Sequence, residues 1–368
     1  MMNIICNKAD LIEGINIVLK AVPSHSTMSI LECMVIDANE NEIKLTTNDL
    51  EIGIETIVKG EVKESGSIAI GAKVLSEIIR KLPDLPVSIQ VDENYQMNIN
   101  CGKSKFSISG VGTEEFPFLP DIVREKRISM SQFTLKEIIR QTVFSISDNE
   151  NNKLMTGELF EIDGNIFKVT SLDGHRISIR KVELKEQYEH VKVVIPGKTL
   201  NEISKILSGG MEDNIDLFFT DKHVLFSFDQ TIVLSRLIEG EYYKIDQMLS
   251  GDYETKLKIN KRQMLESIDR TTLLIKESDK KPVIMDIKDE NMKLIMKTTV
   301  GSMDEDLDIV KEGKDIMIGF NPKFLIDALK VIDDEEVQMY MINPKAPCFL
   351  KNEEETYIYL ILPVNFNI

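Results

Sequence analysis

The sequence predicts an α+β fold made of three similar domains, each with two helices packed on antiparallel sheets. Two observations predict it. The first is a repeat: AIGAKVLSEIIRKLPD, VIPGKTLNEISKILSG and GFNPKFLIDALKVIDD align on Lys73, Lys198 and Lys323, which are 125 residues apart both times. That period is the size of a typical domain, roughly 100–150 residues. The second is alternation. Between amphipathic stretches lie short β-branched runs bounded by turn residues, among them EIKLTT, LEIGIETIVKG, SIQVDENYQMNINCG, KFSISG and NIDLFFTDKHVLFSFDQTIVLSRL, and these read as strands and hairpins.

Each repeat opens with a helix, at 8–20, 134–145 and 261–274, with Asn7, Thr134 and Asn260 placed to cap its first free amides. A second helix follows near 73–82, 198–208 and 323–332. In it a basic residue recurs seven positions on, giving Lys73/Arg80, Lys198/Lys205 and Lys323/Lys330, with Glu77, Glu202 or Asp327 at the fourth step. At about 100° per residue these positions share one face. The opposite face is apolar: Leu75, Ile78, Ile79 and Leu82, then Leu200, Ile203, Ile206 and Leu207, then Leu325, Ala328, Leu329 and Ile332. Within the strands, Asp163-Gly164 reads as a tight turn. The two prolines of EEFPFLPD (114–121) end the first repeat and LSGDYE (249–254) ends the second, so the domains are expected at 1–127, 128–252 and 253–368.

Composition narrows the function. A net charge of −17 argues against gripping nucleic acid with the whole outer surface. The charge is unevenly spread, because the six helical spans carry 14 basic and 8 acidic residues, a net +6 that leaves −23 for the remainder. Amphipathic helices commonly show Lys and Glu to water; here the same basic pair returns at the same spacing in all three repeats. Cys6, Cys33, Cys101 and Cys348 lie far apart with no His at ligand spacing, as expected of reduced thiols in a cytoplasmic protein that uses no metal or other cofactor. The run YIYLILPV (357–364) is too short for a membrane span, which needs roughly 20 residues, and Glu13 and Asn16 interrupt the only apolar stretch near the start. No membrane partner is expected.

The stretch SLDGHRIS (171–178) sets Asp173, His175 and Arg176 around a glycine. Three readings stand: a catalytic trio, a ligand grip, or a plain turn. No HExxH, phosphate-cradling glycine loop or activated-nucleophile motif accompanies it, so no catalytic residue is assigned.

From end to end the chain resembles the bacterial sliding clamp family, the β subunits of DNA polymerase III. The resemblance rests on ILECMVIDANENEIKLTTNDLEI (30–52), EEFPFLP (114–120), LMTGELFEIDGNIFKVTSLDGHRIS (154–178) and YIYLILPVNF (357–366). It implies three clamp-type domains forming half of a closed ring, two chains joined head to tail, helices lining a hole around duplex DNA, and no catalysis beyond association with a polymerase. Basic helices facing inward would hold phosphates without reading bases, and the lining expected here is Lys73, Arg80, Lys198, Lys205, Lys323 and Lys330. His25 and Asn149 stand where the family often has an Arg and a Gln that touch DNA.

The resemblance also implies a groove that binds short peptides of the replicative polymerase, the clamp loader and repair proteins. Its matching residues are Met155, Leu172, Gly174, His175, Arg176, Ile177, Tyr243, Met248, Leu360, Ile361, Leu362, Pro363, Val364 and Asn365, with Arg176 orienting the peptide. Several depart from the family pattern: Leu172 for Thr, NNK (151–153) for a segment with Arg or Pro, Tyr242-Tyr243 for Phe-Pro, and Asn365 for Arg. They imply a shifted peptide motif or an auxiliary clamp. At the ring joint, the strand KSKFSISG (103–110) would meet the third domain of the other chain, with Phe106 near Leu273 and Leu274.

Overall fold

The computed structural model describes residues 1–39, 42–249, 252–275 and 281–366. In chain order the first repeat runs β1 (Met2–Cys6), α1 (Lys8–Val18), β2 (Cys33–Asn39), β3 (Glu42–Asn48), β4 (Ile52–Val58), β5 (Gly60–Glu64), β6 (Gly66–Gly71), α2 (Ala72–Lys81), β7 (Val87–Val91), β8 (Gln96–Cys101) and β9 (Ser104–Ser109). The second runs β10 (Arg127–Ser131), α3 (Gln132–Thr142), β11 (Gly157–Leu172), β12 (Arg176–Pro196), α4 (Gly197–Ile206), β13 (Asn214–Phe219), β14 (His223–Phe228) and β15 (Thr231–Arg236). The third runs β16 (Thr255–Asn260), α5 (Lys261–Thr272), β17 (Val283–Lys288), β18 (Asn291–Lys297), β19 (Ser302–Asp308), β20 (Val310–Gly313), β21 (Ile316–Phe320), α6 (Pro322–Val331), β22 (Glu336–Met341), β23 (Cys348–Lys351) and β24 (Tyr357–Ile361). Part of the segment expected to join the second and third domains, residues 250 and 251, lies outside the described residues.

All six helices form where the apolar spacing puts them, and their caps follow local chemistry. Asn260 Oδ1 accepts the Gln263 amide at 3.0 Å. Asn7 instead turns its amide to Asp10 and caps nothing with its side chain. In the middle repeat the cap is Ser131, whose Oγ accepts the Thr134 amide at 3.1 Å, so Thr134 sits in the first turn of α3. The first residue of each opening helix then serves the end of the second. Lys8 Nζ donates to Leu82 O, Lys261 Nζ donates to Ile332 O, and Gln132 Oε1 accepts the amide and hydroxyl of Ser208, just past Leu207. In the first and third repeats a cation thereby meets a free carbonyl at a helix C-terminus, whereas in the second Gln132 accepts from the residue that follows Leu207.

The strands form four antiparallel sheets, ordered β5-β1-β7-β8-β9, β10-β13-β14-β15-β4-β3-β2-β6, β11-β12-β24-β23-β22-β16-β20 and β19-β18-β17-β21. Two recurring half-sheets build them. One is β9-β8-β7-β1, repeated as β15-β14-β13-β10 and β24-β23-β22-β16. The other is β4-β3-β2-β6, repeated as β19-β18-β17-β21 and as β11 with β12. In that last copy β11 doubles back on itself. Glu161 lies 3.3 Å from Lys168 and the rings of Phe160 and Phe167 are 5.1 Å apart, whereas seven residues of straight strand would separate them by about 23 Å. The reversal falls at Asp163-Gly164, with Gly164 at φ +58°, as the turn signal predicts.

Adjacent half-sheets are spliced by one strand pair. β15 pairs with β4, Thr231 opposite Thr56 and Leu234 opposite Gly53, and the buried hydroxyls of the two threonines lie 2.8 Å apart. β24 pairs with β12, Tyr357 opposite Arg180 and Leu360 opposite Ile177. The chain therefore packs as two compact units, residues 1–134 with 202–237 and residues 135–201 with 238–368. Compactness follows the spliced sheets, and both half-sheets of the middle repeat are shared out to neighbours.

Candidate functional site

The second helix of each repeat buries one side and exposes the other. Leu75, Ile79, Leu200, Ile203, Leu325 and Leu329 are buried, while Lys73, Arg80, Lys198, Lys205, Lys323 and Lys330 are exposed. Some are lightly held: Lys73 Nζ donates to Ser24 O at 3.0 Å, Arg80 to Asn16 Oδ1 at 2.9 Å, and Lys205 pairs with Glu202 at 2.7 Å. Lys73 thereby holds the loop whose next residue is the exposed His25. Asn149 is exposed in a turn, accepting the Asn151 amide at 3.1 Å.

The turn after β11 is built by Asp173. Its Oδ1 accepts the amides of His175 at 2.8 Å and Arg176 at 3.1 Å, its Oδ2 accepts Arg176 Nε at 3.0 Å, and Gly174 takes φ +88°. That conformation favours glycine. Arg176, expected to orient a peptide, is bonded within the chain. The residue is only 8% exposed. Its guanidinium donates to Asp173, to Asp327 at 2.7 Å and to Phe144 O at 2.6 Å, and it stacks 4.5 Å from the Phe324 ring centroid. Arg176 is thus a tie between the turn, α6 and the end of α3. The acid and the cation of the supposed catalytic trio are spent on each other, and the exposed His175 ring stacks on Phe324.

Beside this turn lies an apolar cluster. Leu172, Ile177 and Leu360 are buried in it with Leu159, Ile179, Tyr242, Ile245, Tyr340, Phe349 and Ile358, and Met155 and Leu362 pack on it half-buried. The C-terminal tail is tied in where His175 O accepts the Leu362 amide at 2.9 Å and Gly319 O accepts the Val364 amide at 2.8 Å. Pro363 and Val364 are half-buried and Asn365 is exposed. Tyr243 and Met248 are exposed at 39% and 44%, and the Tyr243 hydroxyl accepts the Asn152 amide. Ile361 lies on the other face of β24 from Leu360. Successive strand residues face opposite ways, so Ile361 joins Tyr357 and Tyr359 in the core of the third repeat and leaves the cluster to Ile358 and Leu360.

Sequence reasoning missed Phe144 and Phe324, the two rings that hold Arg176. Phe324 follows Lys323 directly, and only the phase of α6 relative to the turn could have flagged it. It also missed Glu158, one residue before the cluster's Leu159. The Glu158 carboxyl is fully buried and neither oxygen has a hydrogen-bond partner, because the neighbouring Thr142 hydroxyl gives its proton to Ile138 O at 2.7 Å. Burial pushes the Glu158 carboxyl up to about 8.

At the expected ring joint, Phe106 is 41% exposed on the edge strand β9 and Leu273 is 81% exposed at the end of α5, while Leu274 packs partly into the third repeat's core. Among the described residues no cluster of His, Cys, Asp or Glu is arranged to hold a metal, and no helix is long and apolar enough to cross a membrane.

Three family models match in tandem: DNA polymerase III β subunit, N-terminal domain over residues 2–120, central domain over 129–244 and C-terminal domain over 246–365. The chain belongs to the DNA polymerase III β subunit family. It carries that family's three clamp domains, few helices on antiparallel sheets. The β sliding clamp of Staphylococcus epidermidis is 36% identical over 375 residues, covering 99% of both chains, and that of Staphylococcus aureus is 35% identical at the same coverage. A crystal structure from Eubacterium rectale, assigned to a DNA polymerase III β subunit, is 60% identical with a TM-score of 0.97 over the full length of both chains. The Bacillus subtilis DNA polymerase sliding clamp is 32% identical with a TM-score of 0.96, again over both full chains.

Proposed function

We propose that this chain is a sliding clamp: two copies close into a ring around duplex DNA, and the apolar cluster beside the 172–177 turn tethers replication proteins. The observation that carries the reading is the repeated exposed cation pair on α2, α4 and α6, set over a buried apolar face each time in an otherwise acidic chain. Phosphate attraction from such faces is independent of sequence and screened by salt. Retention then comes from closure, and weak contacts leave the duplex free to slide. Domains are taken at 1–127, 128–252 and 253–368, with the cytoplasm as the place of work. The clamp itself has no chemistry to perform; polymerase activity belongs to its partners.

In the groove, Met155, Leu172, Ile177, Leu360 and Leu362 supply the apolar floor, and Tyr243, Met248, Pro363 and Val364 the rim. Apolar anchors of a short peptide fit such a floor. With Arg176 committed internally, the polar contacts fall to His175, the Gly174 backbone and Asn365. Tyr242-Tyr243, Asn151 to Lys153 and Asn365 give this groove a different rim from the family pattern, which favours a shifted set of peptide partners.

The test is retention on nicked circular DNA after loading, followed by a cut. The protein should stay on the circle through a salt wash and run off once the DNA is linear. Equal retention on both forms would overturn the ring.

A further inference from the structure

The apolar cluster beside the 172–177 turn has a charged margin that its floor does not require. Along it runs the segment 239–249. Tyr242, Ile245 and Leu249 turn into the cluster, so Glu241, Lys244, Asp246 and Gln247 are left outside, all of them exposed. Beside that segment stands the loop 147–155. It is closed by the Ser147 amide on Met155 O at 2.8 Å and tied across by Asn152, whose side-chain amide donates to the Tyr243 hydroxyl at 2.5 Å. Leu154 and Met155 pack on the same cluster, and Asp148 and Glu150 are exposed on the loop. Packing and hydrogen bonds therefore hold both stretches of charge against the groove.

Across 148–153 and 239–248 there are five acids, Asp148, Glu150, Glu239, Glu241 and Asp246, against two bases, Lys153 and Lys244. Lys244 is already engaged by Glu241 at 3.3 Å. Asp148, Glu150, Glu239 and Asp246 make no ion pair among the described residues. Elsewhere around the cluster the charge is different. The tail 362–366 carries none, and Asp173 and Arg176 hold each other at 3.0 Å. Lys256 and Lys351 stand over the Tyr340 ring, 5.5 and 5.1 Å from its centroid, on the strand β22 that lies three strands from Ile177 in β12. Lys323, one residue before Phe324, belongs to the exposed cation pair of α6. The acid excess is thus confined to the margin that holds Met155 and Tyr243.

We infer that the partners of this groove are peptides whose Leu or Phe anchors are flanked by lysine or arginine, and that Asp148, Glu150 and Asp246 select them over acidic peptides. This rests on the groove reading above and adds to it the charge of the occupant. Exposed charges at the margin of an interface contribute little each, and act by steering encounter and by turning away partners of like sign. The apolar floor supplies the holding force; the margin decides among peptides that fit it equally well. Such a preference is modest, grows with the number of flanking cations and fades as salt shortens the reach of each charge.

Three probe peptides test this. They share one core of Leu and Phe anchors, carry Lys-Lys, Ser-Ser or Glu-Glu at both ends, and have their dissociation constants measured on the full chain. At about 50 mM salt the lysine form should bind about fivefold tighter than the serine form and the glutamate form about fivefold weaker, and at about 0.5 M salt the spread should shrink to within about twofold. D148N/E150Q/D246N should flatten the ranking at low salt while the serine form stays within about twofold of its affinity for the parent chain. E61Q/E64Q/E93Q removes exposed acids of the first repeat instead and should leave the ranking as it was; if it flattens the ranking equally, the overall charge of the chain is responsible and the inference fails. Removing residues 362–368 should abolish binding of all three probes. Equal affinities, or a tighter glutamate form, with binding still lost on truncation would overturn the charge preference and leave the groove standing. Binding that survives the truncation, or no binding by any probe, would remove the groove and the preference together.

Discussion

Arg176 answers the question raised by the Asp-Gly-His-Arg turn. A buried guanidinium with two carboxylates and a carbonyl around it is costly to remove, because its partners are left facing each other out of water. Arg176→Ala should therefore lower stability by about 3 kcal/mol in urea unfolding, somewhat reduced because Asp327 keeps partial contact with solvent. Arg176→Lys should recover only part of the loss, since an ammonium cannot reproduce the planar fork that spans Asp173 and Asp327. If Arg176→Ala left stability unchanged and removed only peptide affinity, the residue would belong to the ligand after all. Glu158 makes the opposite kind of case. Its folded-state carboxyl is held near 8, above the ordinary 4.5. Between those values the folded chain keeps a proton that the unfolded chain releases, so stability is fullest at low pH and falls as pH rises toward 8. Each tenfold rise in folded-state proton affinity is worth about 1.4 kcal/mol. Glu158→Gln cannot ionise, and its melting temperature should gain on wild type from pH 5 to pH 8; a pH-independent difference would mean that this carboxyl is not held neutral.

At the scale of elements, the helices were legible and the strand faces less so. A 3.6-residue apolar period survives without knowledge of neighbours, which is why α2, α4 and α6 and the exposure of their lysines could be read directly. A strand carries only a two-residue phase, and in YIYLI every position is buried, so nothing in the sequence separates Ile361 from Leu360. The α3 cap failed for a local reason: Ser131 and Thr134 are both good capping residues three apart, and the earlier one took the role. The charged helices and the groove should also be separable by experiment. Lys198→Glu with Lys205→Glu should weaken DNA loading and leave peptide affinity within about twofold, given that phosphate contacts act through charge. Removing residues 362–368, of which 367 and 368 lie outside the described residues, should abolish peptide binding and spare DNA retention. Equal damage to both activities by either change would refute the division of labour.

At the scale of the molecule, the 125-residue period announced three domains, but not that their sheets run into one another. That sharing depends on strands far apart in sequence, Thr231 beside Thr56 and Leu360 beside Ile177, and no local pattern encodes it. What could be read is the separation of charge, because it depends only on which residues the helices carry. The turn was legible in part: Asp-Gly gave the reversal, while the destination of Arg176 lay in α6, some 150 residues onward.

The strand-sharing has a bearing on the molecule's handling. A repeat cut out at its boundaries would carry a raw flank where its neighbour's strand had lain, with a ladder of amides and carbonyls open to any passing chain. Such fragments would clump before they could be studied alone. The three repeats, however alike, cannot be shuffled as independent modules, because each completes its sheets with a neighbour's strand.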